Sequence, residues 1–492
     1  MRTAANRIGP VVVFAFGLLT AVLVVLSLPW PVVLDAPVFH YVAWRMSEGD
    51  VLYRDIHDLN VPGPYLVHLA LLRTLGPGEA AWRAFDLGWL AATAGALGWL
   101  AARWGGLAGA GAGLAFAAYH VAGGAWQAGQ KDFLMCLLLV AAAIGVVRWL
   151  EQRGGAWSLA GAGLALGAAF SFKPLTALFT GALGLLVVVV AVRRRDAAGA
   201  ARAVGAYVGA AAAVPAALVI WLAVSGGLGP WADITFGYGL PVYAHLGRSA
   251  PWLGHRWLGW IPLGLGASGA LAAAIQSRRA DARHLVAAIG VGWGIVHYIM
   301  QGKGAEYHLH PVAAFAGLLA FSIFAPALVT RRPWLTVSVG VALLAALVLV
   351  TTKGLEASNA PWMWDEERRV RVLTEDLGRR LSPGDTVQVL DVSDGALHAL
   401  LRLGVRQPTR YIMDYSFFHE VHRPVVRAMR AEFMAALEAA PPRFIVLMRG
   451  AGPGSGYDRI TRFPELAELL ARRYDGIETR DGYRLYTRRA GT

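Results

Sequence analysis

The sequence predicts a polytopic α-helical membrane protein, with surface helices in its first outer loop and an α/β domain at its C-terminal end. Three observations predict this. Of the 492 residues, 56% are hydrophobic and only 16% charged, with a mean hydropathy of +0.48; a soluble domain carries roughly 25% charged residues. Apolar runs long enough to cross a bilayer recur between residues 10 and 352. Beyond residue 353 the composition becomes charged and mixed, and strand-like and helix-like segments alternate.

About 20 apolar residues cross the hydrocarbon core as a helix. On that basis about eleven spans are expected, near 10–29, 81–102, 106–122, 133–150, 157–172, 174–192, 203–224, 256–275, 284–300, 312–329 and 334–352. The first has a basic flank but no small-residue cleavage site, and an acidic loop follows at once, so it reads as a retained span. At 172–174 a single Pro-kinked re-entrant hairpin fits as well as two spans. Arginines cluster between alternate spans, at Arg103, Arg148/Arg153, Arg193–Arg195, Arg278/Arg279/Arg283 and Arg331/Arg332. This is the positive-inside pattern. It puts the N-terminus in the cytoplasm, and 30–80, 123–132, 172–174, 225–255 and 301–311 on the outer face. An odd span count puts the C-terminal domain there too, periplasmic or extracellular. The net charge of +13 is therefore a topology signal. The partner it implies is the lipid bilayer, and no nucleic acid. The single cysteine, Cys136, excludes an internal disulfide and a cysteine-rich metal site.

The chain divides into a membrane domain, 1–353, and an outer domain, 354–492. The second reads as helix 362–381, strand 386–392, helix 395–403, strand 409–413, helix 420–439, strand 443–448, helix 464–474 and a hairpin over 476–488. Alternating strands and helices argue for an α/β domain. The glycine-rich stretch at 450–458 matches neither phosphate-loop spacing and reads as a flexible loop.

Acidic groups near membrane spans are costly and usually functional. They concentrate in DAPVFHYVAWRMSEGDVLYRDIHDLNVPGP, residues 35–64. Two surface helices are expected there, an amphipathic one over 36–48 and a short apolar one over 64–75, on either side of a Pro-Gly-Pro turn. Asp35, just past the first span, suits a general base for a hydroxyl; it equally suits the N-cap of the first surface helix. Asp55, His57 and Asp58, with Asn60, form a polar patch that could contact an acceptor or a divalent cation (Mg, Mn or Ca), though Asp and Asn are also turn formers. Asp132, in GQKDF at the mouth of a span, is either one half of an ion pair with Lys131 or a second carboxylate beside Asp35. In QGKGAEYHLHP, Gly302–Lys303–Gly304 lets the backbone approach an anion, and Glu306, His308 and His310 add metal or phosphate ligands. Only four lysines occur among 45 basic residues, and all sit at expected outer ends of spans. Lys131, Lys173 and Lys303 thus read as compact phosphate-binding charges, and Arg83 as a further phosphate partner or a snorkelling side chain.

One span, then Asp-x-Pro-x-x-x-Tyr on a surface helix, a second surface helix after Pro-Gly-Pro, and many spans ending in an outer α/β domain: this layout resembles the GT-C glycosyltransferase superfamily. The nearest branch is the bacterial relatives of protein O-mannosyltransferases and of the lipid A aminoarabinose transferase, a family 39-like group. GQKDF and QGKGAEYHLHP resemble motifs of the same branch. The resemblance implies an inverting transfer of a sugar from a polyprenyl-phosphate donor to a glycan, lipid or protein acceptor at the outer face. It implies Asp35 as the catalytic aspartate, Asp132 as the second acid, and Lys303 and His308 near the lipid phosphate. Many relatives have Asp-Glu at the first position where this chain has Asp35-Ala36, so a metal site using that second acid is not carried over. A transporter or flippase of lipid-linked sugars would favour internal repeats and midplane charges; neither is visible. A non-catalytic membrane scaffold is the remaining alternative.

Overall fold

A computed structural model describes residues 1–450, 456–480 and 482–490. Among these, nine helices are long and apolar enough to cross a membrane, beginning with Arg2–Ser27 and ending with the helix that starts at Pro333. All eleven expected spans coincide with helices, but two are short: Gly106–Ala122 has 17 residues and Ala156–Phe170 has 15. At 1.5 Å per residue the latter falls well below a bilayer core of about 30 Å. The 172–174 segment is a tight turn between two helices, Ala156–Phe170 and Thr176–Arg193, a geometry that both the two-span and the re-entrant arrangement share.

The helices that position the site are α1 (Arg2–Ser27), α2 (Asp35–Ser47), α3 (Gly63–Thr74), α4 (Glu79–Ala101), α5 (Gly106–Ala122), α6 (Lys131–Leu150), α7 (Ala156–Phe170), α8 (Thr176–Arg193), α9 (Ala197–Ser225), α10 (Ile261–Gln276), α11 (Ala282–Gln301), α12 (His310–Phe321) and α13 (Pro333–Ser358). Small residues let them pack tightly. A Cβ on Gly163 would lie 2.2 Å from the Tyr207 carbonyl, and one on Gly167 would lie 2.5 Å from that of Ala211, which fixes α7 against α9. α12 is the hub, with every residue buried.

The C-terminal domain follows with α14 (Pro361–Gly378), β1 (Val387–Leu390), α15 (Ala396–Leu403), α16 (Pro424–Ala439), β2 (Phe444–Met448), α17 (Pro464–Arg473), β3 (Tyr474–Arg480) and β4 (Tyr483–Arg488). The sheet order is β1-β2-β4-β3, with β1 parallel to β2 and the other pairs antiparallel. The strand expected over 409–413 is not part of it; Tyr411 makes only an isolated bridge, to His57. The free edge of β1 is instead satisfied by a side chain, since the Val389 N–H donates to Gln407 Oε1 at 3.1 Å. Residues 451–455 of the glycine-rich stretch lie outside the described residues.

Both expected helices of the first outer loop are present; α2 is covered by the C-terminal domain, whereas α3 keeps Ala70, Arg73 and Thr74 exposed. Ala36 to Ala43 are all buried in α2. Val38, Phe39, Tyr41 and Val42 share one apolar core with Val370, Leu373, Val387, Val389 and Leu400 of the C-terminal domain. The period that reads as interfacial amphipathicity is that of a helix roofed by a second domain. The Pro-Gly-Pro turn is anchored from below. The Gly63 N–H donates to the Ser171 carbonyl at 2.9 Å, and a Cβ on Gly63 would come within 2.5 Å of that oxygen. Only glycine lets the first loop seat on the α7–α8 turn that carries Lys173.

Candidate active site

Asp35 opens α2, and the preceding Leu34 is the N-cap, with no side-chain cap hydrogen bond. The capping alternative is thereby removed, and the carboxylate is free for other work. Its Oδ2 accepts from the Gln130 amide at 2.9 Å, and the residue remains half-buried. Leu34 has φ 56° and ψ −114°, a conformation that costs a branched residue of order 1–3 kcal/mol. Its N–H donates to Glu366 Oε1 at 2.9 Å. Tyr243 lies nearby; burial, with the charges of Asp35 and Asp58 adding to it, pushes its phenol up to about 12.

Two residues beyond Gln130, Asp132 stands in the first turn of α6 and is fully buried. It gathers three partners from three other elements: His297 Nε2 of α11 at 2.6 Å, His308 Nδ1 at 3.2 Å and Lys173 Nζ at 3.5 Å. A carboxylate cannot donate, so these ring nitrogens carry the protons. His297 Nδ1 and His308 Nε2 are left buried with no hydrogen-bond partner among the described residues. Ligand atoms of Asp132, His297 and His308 all lie within 4.8 Å of one another. Two imidazoles and one carboxylate fit a divalent ion, and by donor type suit zinc or manganese better than the hard-oxygen cations magnesium and calcium. Such an ion would have to share Asp132 with the Lys173 ammonium.

The lysines are placed unequally. Lys131 Nζ donates to Asn60 Oδ1 and lies 5.6 Å from the Phe39 ring centroid, tying α6 to the first loop. Lys303 Nζ donates to the Tyr243 carbonyl at 2.9 Å and stands over that ring at 4.1 Å. Burial, with Lys173 adding to it, pushes the Lys303 amine down to about 8. Both flanking glycines have positive φ, and a Cβ on Gly304 would strike the Trp252 ring; they shape the loop around Lys303.

Other expected ligands are engaged elsewhere. Arg83 pairs with buried Asp86 at 2.6 Å, bonds Ser27 and covers the Trp30 ring at 4.7 Å, so it braces α4 against α1. Asp55 is held by Arg54 at 2.7 Å. His57 stacks near Tyr411 at 4.8 Å, and burial, then Arg410, push it down to about 3. Asp58 Oδ1 takes two bonds from Asn60, both 2.7 Å. Glu306 pairs with Lys353 at 2.5 Å. His310 bonds His120 at 3.1 Å and donates to the Tyr307 carbonyl at 2.8 Å. The Asp55–His57–Asp58 patch thus does not converge on one point, whereas Asp132, His297 and His308 do.

Sequence reasoning passed over His297, Gln130 and Glu366. His297 had a usable signal, since a histidine inside an apolar span is costly and invites a functional reading. Gln130 and Glu366 had none, because both act through long-range packing.

The chain is a helical bundle with acids, lysines and histidines gathered at one end, roofed by an α/β domain. No family model matches the chain, and no curated protein is similar to it. Among solved structures it is similar to ArnT from Cupriavidus metallidurans bound to undecaprenyl phosphate, with a TM-score of 0.62 and 14% identity over 97% of this chain and 98% of that one. The apo state of ArnT matches with a TM-score of 0.61 and 15% identity over 96% of each chain. The fold implied by the sequence resemblance is therefore the fold observed.

Proposed function

We propose that this chain is an integral-membrane glycosyltransferase that moves a sugar from a polyprenyl-phosphate donor to an acceptor at the outer face, with inversion and with Asp35 as general base. The observation that carries this reading is the placement of Asp35: half-buried, and held by the neutral amide of Gln130, which stands two residues before the buried Asp132. Its free lone pairs suit the removal of a proton from an attacking hydroxyl. The leaving group is a phosphate, whose growing charge needs preorganised cations; Lys131 and Lys303 supply them, with Lys173 behind. A single displacement with a base on one side and cations on the other inverts the anomeric centre. The likeness to ArnT, described as bound to undecaprenyl phosphate, supports the donor class. A divalent ion here would be held by Asp132, His297 and His308, whose ring nitrogens would give up their protons to coordinate it. The C-terminal domain lies on the periplasmic or extracellular side of a bacterial inner membrane, where the acceptor is a glycan, lipid or protein.

Purified protein in liposomes, supplied with polyprenyl-phosphate sugar labelled in both halves, tests the reading. Release of free lipid phosphate, dependent on an added acceptor, is expected. Movement of intact donor between leaflets without cleavage would instead identify a flippase.

A further inference from the structure

We infer that Glu366, on the first helix of the C-terminal domain, is a positioning residue that aims Asp35; this rests on the reading of Asp35 as the base. The argument begins with Leu34. It is one of few non-glycine residues with positive φ, and its ψ of −114° lies far from the left-handed helical well that asparagine or aspartate can occupy. A leucine stays there only when its surroundings hold it. The polar group that holds it comes from 332 residues away: the Leu34 N–H donates to Glu366 Oε1 at 2.9 Å. Glu366 is 2% exposed, and burying a carboxylate is costly unless its hydrogen bonds compensate.

The rest of the segment is tied to the same place. Trp30 Nε1 donates to the Ser358 carbonyl at 2.9 Å, and Trp30 and Val33 pack on Met363 in a small separate core. The chain leaving α1, from Trp30 to Leu34, is thus clamped to the end of α13 and the start of α14, and the clamp ends where Asp35 begins. Beyond it, the direction of the Asp35 carboxylate depends on the Leu34 backbone on one side and the Gln130 amide on the other. Relaxing Leu34 to negative φ would swing the first turn of α2 and break the Asp35–Gln130 contact. A misplacement of about 1 Å can cost on the order of 100-fold in rate.

Four variants test this in the full-length protein. Glu366→Ala is expected to lower kcat on the order of 100-fold with little change in donor KM. Glu366→Gln keeps an oxygen acceptor for the Leu34 N–H and is expected to stay within about threefold of wild type. Leu34→Gly combined with Glu366→Ala is expected to recover about tenfold over Glu366→Ala alone, because glycine adopts positive φ without steric cost. Wild-type kcat in Glu366→Ala, or no recovery in the double variant, would overturn the inference. Asp35→Asn separates it from the reading it rests on. If Asp35→Asn transfers at the wild-type rate, the base assignment fails while the positioning is still decided by structure. A cryo-EM map of Glu366→Ala in nanodiscs decides it: a relaxed Leu34 and a broken Asp35–Gln130 contact support positioning, and an unchanged path overturns it.

Discussion

Asp35 and Asp132 are both carboxylates in the first turn of a helix, and only Gln130 and one further residue separate their contacts. Their surroundings are opposite. Asp35 is half-buried and held by one neutral amide; Asp132 is sealed from solvent and saturated by two imidazoles and an ammonium. Asp35 faces a partly open space with a single neutral partner, whereas Asp132 is held by three partners drawn from three other elements. The same side chain is thus left accessible or locked into a charge cluster according to the elements that converge on it.

The largest effect expected from this contrast is at Asp35. Asp35→Asn keeps the shape and the Gln130 contact in reach but cannot accept the proton, and transfer should fall about a thousandfold while the melting temperature in detergent holds. Full retention of transfer would end the comparison. Asp132→Asn should do the reverse in kind: it strands the Lys173 charge and should destabilise the fold by about 3–5 kcal/mol, read as a lower melting temperature. Adding Lys173→Met should restore part of that loss; no restoration would mean that the Lys173 pair is not what Asp132 balances.

A smaller effect concerns the ion. After chelation, zinc at about 100 times its Kd should stabilise wild type by roughly 2.7 kcal/mol and leave His297→Ala unmoved in a thermal shift assay. Equal shifts in both proteins would place the ion elsewhere. The smallest effect lies at Lys303. Its amine is pushed down to about 8 by burial and by Lys173, so it is charged below that pH and neutral above it. Donor affinity should therefore weaken as pH rises through about 8, and Lys303→Met should flatten that dependence. An unchanged profile in the variant would detach Lys303 from the donor.

The bundle was legible because hydrophobic length and arginine placement are local properties of the chain. Every expected span fell on a helix, and α14 to β4 followed the alternation read from the sequence except at 409–413, where a glutamine side chain satisfies the strand edge. Asp132 and His308, singled out separately, meet at 3.2 Å. What sequence could not convey is convergence. His297 reaches Asp132 across 165 residues, and Glu366 reaches Leu34 across 332. The same limit explains the reading of α2: its apolar stripe looks the same whether lipid or a second domain covers it.

The core shared by α2 and the C-terminal domain also sets an order of events during synthesis. The segment bearing Asp35 leaves the ribosome among the first, while α14, β1 and α15, which complete its hydrophobic surroundings, come more than 300 residues later. Contacts so distant along the chain form late, and domains made at about 5–20 residues per second leave such a segment waiting for tens of seconds. Until the last domain docks, Leu34 has nothing to hold it in place. The path that leads from α1 into Asp35 is therefore set only after the last domain has folded, and a chain truncated before α14 would lack the Glu366 acceptor altogether.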